Sequence, residues 1–196
     1  DVCSSDLGEA ALRDLNYKTA EYAFIRSQDY GGIQFVKRLQ FTANQDVKGL
    51  VAAYFKNFEE AERLFSESDR VDLTLNLRKT LGDWFGVMRI VKSGYCSTEG
   101  LLALAYNKVG DYFAHINDWP AGKEYYKLAK NKKKIIEAYC RLEDFTSLKA
   151  MADTLESCDP LLKDIANGFA TGGIYSAAIK TYLKMGDIKS ALEISI

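Results

Sequence analysis

The chain has 196 residues, with 26 Lys and Arg against 27 Asp and Glu, a formal net charge of −1 and 47% hydrophobic residues. So balanced a charge excludes a general nucleic-acid binder, which needs surplus cations to displace counterions, and so apolar a composition excludes a disordered chain. No apolar run approaches the roughly 18 residues of a membrane span, and no basic-then-apolar leader opens the sequence.

The stretch Asp1-Val2-Cys3-Ser4-Ser5-Asp6-Leu7 reads as the translated end of a sequencing adapter. Native sequence is therefore expected from Gly8 onward, as residues 8–196 of a larger protein whose missing flanks stack on this piece. From there the periodicity predicts helices over 8–15, 18–28, 30–40, 46–56, 58–67, 70–80 and 83–92, then a longer one over 98–116. Further helices are predicted over 119–129, 132–142, 145–155, 160–172, 174–185 and 187–196, about fourteen in all. Turn-like positions recur about every thirteen residues, from Tyr17 to Tyr30, from Phe58 to Val71 and Trp84, from Trp119 to Lys132 and Phe145, and from Tyr175 to Ile188. In Leu81-Gly82-Asp83-Trp84, Leu142-Glu143-Asp144-Phe145 and Met185-Gly186-Asp187-Ile188, one helix ends and the next begins. Glycine suits a left-handed C-terminal position, and aspartate suits the following N-cap. Pro120 and Pro160 fall in first helical turns, where a missing N–H is tolerated. Longer breaks are expected at 41–46, 93–98 and 157–159. No segment alternates with period two for long enough to be a strand.

One pattern ties these helices together. Tyr17, Ala20 and Phe24 are spaced by three and four residues, and Phe58, Ala61 and Phe65 repeat the spacing. Trp119, Gly122 and Tyr126 give a third copy, and Tyr175, Ala178 and Tyr182 a fourth. Offsets of three and seven lie on one helix face. An aromatic at the turn, a small residue at a helix crossing and a second aromatic below it fit a stacked hairpin. The expected fold is all-α, an α-solenoid of tetratricopeptide-like antiparallel hairpins. These twelve residues, with Trp84 and Phe145, are expected to form its core.

Candidate chemistry is sparse. His115 is the single histidine, late in a predicted helix where a cation suits the dipole. Cys3, Cys96, Cys140 and Cys158 lack zinc-ligand spacing, and their scatter suits a reducing compartment. Glu59, Glu60 and Glu62 sit at a helix start, where negative charge is favourable. Gly31-Gly32, Gly94 and Gly172-Gly173 match no phosphate loop and read as turns. Lys130, Lys132, Lys133 and Lys134 form the one dense basic run. It is read as spanning a helix C-terminus and the next turn, either solvated or docking an acidic partner or a headgroup layer. Neither a catalytic residue, a cofactor nor a metal is expected.

Several blocks point to a family. Thr19-Ala20-Glu21-Tyr22-Ala23-Phe24 and Asp29-Tyr30-Gly31-Gly32-Ile33-Gln34-Phe35-Val36-Lys37-Arg38-Leu39 come first, followed by Val51-Ala52-Ala53-Tyr54-Phe55 and Phe58-Glu59-Glu60-Ala61-Glu62-Arg63. Leu81-Gly82-Asp83-Trp84-Phe85, Gly110-Asp111-Tyr112-Phe113-Ala114, Leu142-Glu143-Asp144-Phe145 and Leu161-Leu162 with Ile165-Ala166 complete the set. In order and spacing the chain resembles the C-terminal helical region of the WD-repeat subunits of intraflagellar transport complex A. The resemblance implies a non-enzymatic scaffold segment whose upstream WD40 propellers are absent here. It implies retrograde transport, cilium assembly and ciliary entry of membrane proteins. The implied partners are other subunits of that complex and membrane-protein cargo adaptors, with no nucleic acid. The implied location is the cilium and its base (axoneme and basal body) and the cytoplasm. A generic peptide-binding or chaperone-adaptor repeat module is the alternative. It would show clustered Lys and Asn on one inner face.

Overall fold

The computed structural model describes residues 2–93, 99–157 and 159–195, and among them it is all helix and turn. Among the described residues fourteen helices follow one another. They are α1 (Val2–Arg13), α2 (Tyr17–Ser27), α3 (Tyr30–Gln40), α4 (Asn44–Tyr54), α5 (Phe58–Glu67), α6 (Val71–Leu81) and α7 (Trp84–Lys92). Then come α8 (Glu99–His115), α9 (Trp119–Leu128), α10 (Lys132–Arg141), α11 (Phe145–Thr154), α12 (Leu161–Thr171), α13 (Tyr175–Met185) and α14 (Ile188–Ser195). The all-α, solenoid-type class expected from the periodicity is the class observed. Most boundaries fall within two residues of expectation; α1 differs, beginning at Val2 rather than at residue 8.

One turn is used over and over. Leu15, Gln28, Lys56, Asp69, Asn117, Lys130 and Glu143 have positive φ, as do Gly82, Gly173 and Gly186. Each stands two residues before the first residue of the next helix. The intervening residue sends its N–H back five residues, as in Asp29 to Phe24, Asn131 to Tyr126 and Asp187 to Tyr182, at 3.0–3.1 Å. That bond closes the preceding helix in a Schellman-type C-cap. The same residue often caps the next helix: Asn16, Asp29, Asp118, Asn131, Asp144 and Asp187 each accept from the backbone N–H three positions on. One residue thus ends one helix and starts another, which keeps the step near thirteen residues.

The chain divides into two compact units, Asp1–Asp83 and Trp84–Ile196. In the first, α1 packs on α2, α2 on α3, α4 on α5 and α5 on α6. Its core gathers Leu12, Ala20, Phe24, Val36, Leu39 and Val47. In the second, close packing runs from α7 through α10 between chain neighbours, α10 and α11 both meet α12, and α12 to α14 follow in sequence. Its main core gathers Ile136, Leu148, Leu162, Ile165, Phe169 and Tyr182. Within each unit a helix packs closely only on helices one or two places away in the chain, the arrangement of a repeat stack.

Candidate interaction surfaces

The small residues and second aromatics of the fourfold pattern are all buried: Ala20, Ala61, Gly122 and Ala178, with Phe24, Phe65, Tyr126 and Tyr182. The first aromatics sit higher in the stack. Tyr17, Phe58 and Trp119 are half-buried, as are Trp84 and Phe145, while Tyr175 is 57% exposed. The expectation that every ring is core is therefore corrected for Tyr175, which opens α13 with more than half of its surface in solvent. Trp119 keeps its ring under the Arg141 guanidinium at 5.8 Å.

A fourth member of the pattern went unread in the sequence. Sixteen residues before each second aromatic stands Gly8, Gly49, Gly110 or Ala166. A Cβ on the three glycines would fall 2.9 Å from Phe24, 2.5 Å from Phe65 and 2.6 Å from Tyr126 respectively. The ring lies on bare backbone of the previous helix. Where the aromatic is Tyr, the next residue accepts its hydroxyl: Tyr126 Oη donates to Asp111 Oδ1 at 2.9 Å, and Tyr182 Oη to Asn167 Oδ1 at 2.5 Å. Burial, then the Asp111 bond, pushes the Tyr126 phenol far up. The signal that could have found this register is a small residue nine positions before the turn aromatic.

The lysine run is placed differently from its reading. Lys132, Lys133 and Lys134 form the first turn of α10, capped by Asn131, so they face the positive rather than the negative end of a helix. Lys130 alone lies in the turn, with φ 56°. Lys134 is drawn to Asp111 at 3.6 Å and Glu137 at 3.2 Å. Lys130, Lys132 and Lys133 are exposed.

Other singled-out residues have structural neighbours. His115 ends α8 and is exposed. Glu59 and Glu60 lie in the first turn of α5, and Glu62 accepts from Arg78 of α6 at 2.7 Å. Gly31 and Gly32 are not a turn but the start of α3, and Gly32 is buried beneath Phe24. Gly172 caps α12, and Gly173 makes the turn. Cys140 is half-buried, and burial pushes its thiol up, away from the reactive thiolate. Cys96, Cys158 and Gly94, and the side chain of Cys3, lie outside the described residues. Among those described, no three His, Cys, Asp or Glu gather to hold a metal, and no helix is long and apolar enough to cross a membrane.

The first unit carries a groove of about 790 Å³, walled by α3, α4, α5 and α6. Leu50, Leu73 and Leu77 line it, Phe41 and Leu81 stand at its exposed edge, and Asp46 lies in its wall. Phe35 and Tyr54 stack at 4.5 Å on one side. Asp46 is 2% exposed yet charged in type, and its Oδ2 accepts from Arg70 Nη1. Arg70 also grips Asp72 through Nε at 2.9 Å and Nη2 at 2.8 Å, which holds the Asp72 carboxyl below its usual range.

The sequence that folds into these capped hairpins is similar to known proteins. WD repeat-containing protein 35 of Rattus norvegicus and of Homo sapiens are each 41% identical to this chain over 189 residues, 95% of its length. The chain belongs to the WD repeat-containing protein 35 family. It spans 16% of the length of those relatives. Intraflagellar transport protein 122 homolog of Homo sapiens is 27% identical over 207 residues, covering 97% of this chain. No family model matches. Membership of the WD repeat-containing protein 35 family agrees with the resemblance carried by the quoted blocks.

Proposed function

We propose that this chain is a non-enzymatic scaffold segment of intraflagellar transport complex A, lying behind WD40 propellers in the whole protein. Its work is subunit assembly for retrograde intraciliary transport, cilium assembly and ciliary entry of membrane proteins. Other subunits of the complex and membrane-protein cargo adaptors are its partners, at the cilium, its base and the cytoplasm. The observation that carries this reading is the 41% identity to WD repeat-containing protein 35 along 95% of the chain. The weaker match to an intraflagellar transport protein runs over the same extent and supports it. A stack whose polar side chains serve caps and ion pairs suits a binding surface better than a reaction site.

The test is replacement. Residues 8–196 are exchanged for the matching segment of full-length WD repeat-containing protein 35 in ciliated cells lacking the endogenous protein. Restored cilium length and restored return of transport particles from the tip are expected. Normal folding of the chimera without either recovery would refute the assignment.

A further inference from the structure

We propose that a cationic groove in the second unit is a docking site for an acidic segment of a partner protein. Both α11 and α13 pack on α12, and between them lies a groove of about 600 Å³ with the buried Phe169 of α12 in its lining. Lys149 of α11 and Lys180 and Lys184 of α13 line it, against the carboxylate of Asp153. Three lysines facing one aspartate leave two positive charges over, in a chain whose net charge is −1. Lys149 and Lys180 are exposed, and neither forms an ion pair among the described residues. Like charges gathered along one concave wall raise the local potential, and an anionic occupant lowers it.

Lys184 is already held in place. Its Nζ donates to the Ala152 carbonyl at 2.7 Å and to the Asp153 carbonyl at 3.4 Å, so it caps the end of α11. An ammonium carries three donors; two serve these carbonyls and the third remains for an occupant. A cation fixed before binding has little rotamer entropy left to lose. Lys180 stands one turn earlier on the same face of α13, and Lys149 stands on the other wall. The positive charge is thus spread along the groove rather than focused on one point, which suits several carboxylates on one chain better than a single small anion. Ala152 and Ala177 present only methyl groups between the lysines, and Leu183 is 53% exposed at the margin. An apolar side chain set among the carboxylates therefore finds cover. A polynucleotide needs a larger surplus of cations than this, and a concave wall between two helices suits one chain rather than the plane of a bilayer. The inference rests on the scaffold reading and adds to it the charge of the segment that binds.

The experiment uses the purified 196-residue chain. Random peptides displayed on phage are selected on it, and the leading peptide is synthesised for fluorescence-anisotropy titration. Selected peptides should carry clustered Asp and Glu, and binding should weaken as ionic strength rises. Lys149→Glu and Lys180→Glu reverse exposed charges in the groove, and each is expected to weaken binding about tenfold or more. Circular dichroism checks that both keep the parent's helicity; Lys149→Ala and Lys180→Ala replace either one that does not. The double variant Lys132→Glu and Lys133→Glu, on α10, should bind as the parent does. Three results overturn the proposal: no acidic peptide is enriched; the enriched peptide ignores both groove variants or is lost with the α10 pair; or no peptide binds while phosphatidylserine vesicles sediment the parent and not the groove variants, which would give the groove to a headgroup layer. Because no transport subunit is present, failure here leaves the scaffold reading untouched, and failure of the chimera leaves the peptide titration to stand or fall by itself.

Discussion

Gly110→Ala puts one methyl group where the fourfold register allows none. The new Cβ would lie 2.6 Å from Tyr126 Cε1 and 2.8 Å from Cδ1, about 1 Å inside the optimal carbon–carbon separation. Tyr126 cannot swing aside cheaply. It is 0% exposed, and its hydroxyl is tied to Asp111. Overpacking of this kind costs about 1–3 kcal/mol, while replacing Gly by Ala inside a helix returns about 0.5–1 kcal/mol. The difference spans about 0–2.5 kcal/mol and centres near 1 kcal/mol of destabilisation, or roughly 2–4 °C in melting temperature for a chain of this size. Thermal unfolding followed by circular dichroism reads it. In a Tyr126→Leu background the ring is gone, and Gly110→Ala should become neutral or stabilising, a coupling that marks direct contact. A Gly110→Ala protein that melts at or above the parent, or one whose loss persists without the ring, would refute the register.

Three further outcomes follow from the turns and the ion pairs. Lys130 holds φ 56° without need of its side chain for the turn, so Lys130→Gly should raise stability by about 0.5–1 kcal/mol in urea titration. Asp144 accepts from the Ser147 and Thr146 hydroxyls and the Ser147 N–H, which holds its carboxyl below the usual range. Its contribution is therefore present above about pH 4 and lost as pH falls through the lower folded value; the melting-temperature gap between parent and Asp144→Ala should be constant near neutrality and close in acid. Arg70→Leu should lower the melting temperature more than Asp72→Asn, because only the first leaves the buried Asp46 carboxylate uncompensated.

The helices were legible because their period is short and their turns are uniform, not because each turn announces itself. Gly82 and Gly186 carry the left-handed signal openly, and Glu143 could be read by alignment with them. Leu15, Gln28 and Lys56 adopt the same conformation against their own preference, and only the recurring step of the helices betrays them. The buried half of the aromatic pattern was equally readable. The first ring was over-read because sequence offset places a residue on a face without saying how deep along the stack it lies. Tyr175 shows the error in full, and Phe58 and Trp84 in part. Trimming either half-buried ring to Ala should therefore fall below the ~3–5 kcal/mol of a fully buried aromatic. The lysine run was assigned to the wrong helix end because Lys130 belongs to the turn and Lys132 already to α10. Asp46 was placed at the edge of a loop, since a buried acid is unexpected until its partner is known. That partner, Arg70, lies 24 residues away across the hairpin.

The most direct test of the central claim is quantitative co-purification. Residues 8–196, tagged and expressed in ciliated cells, should recover intraflagellar transport complex A subunits well above a tag-only control, and Gly110→Ala should recover less in proportion to its loss of stability. Recovery of chaperones alone, or of no transport subunit from a folded chain, would contradict it.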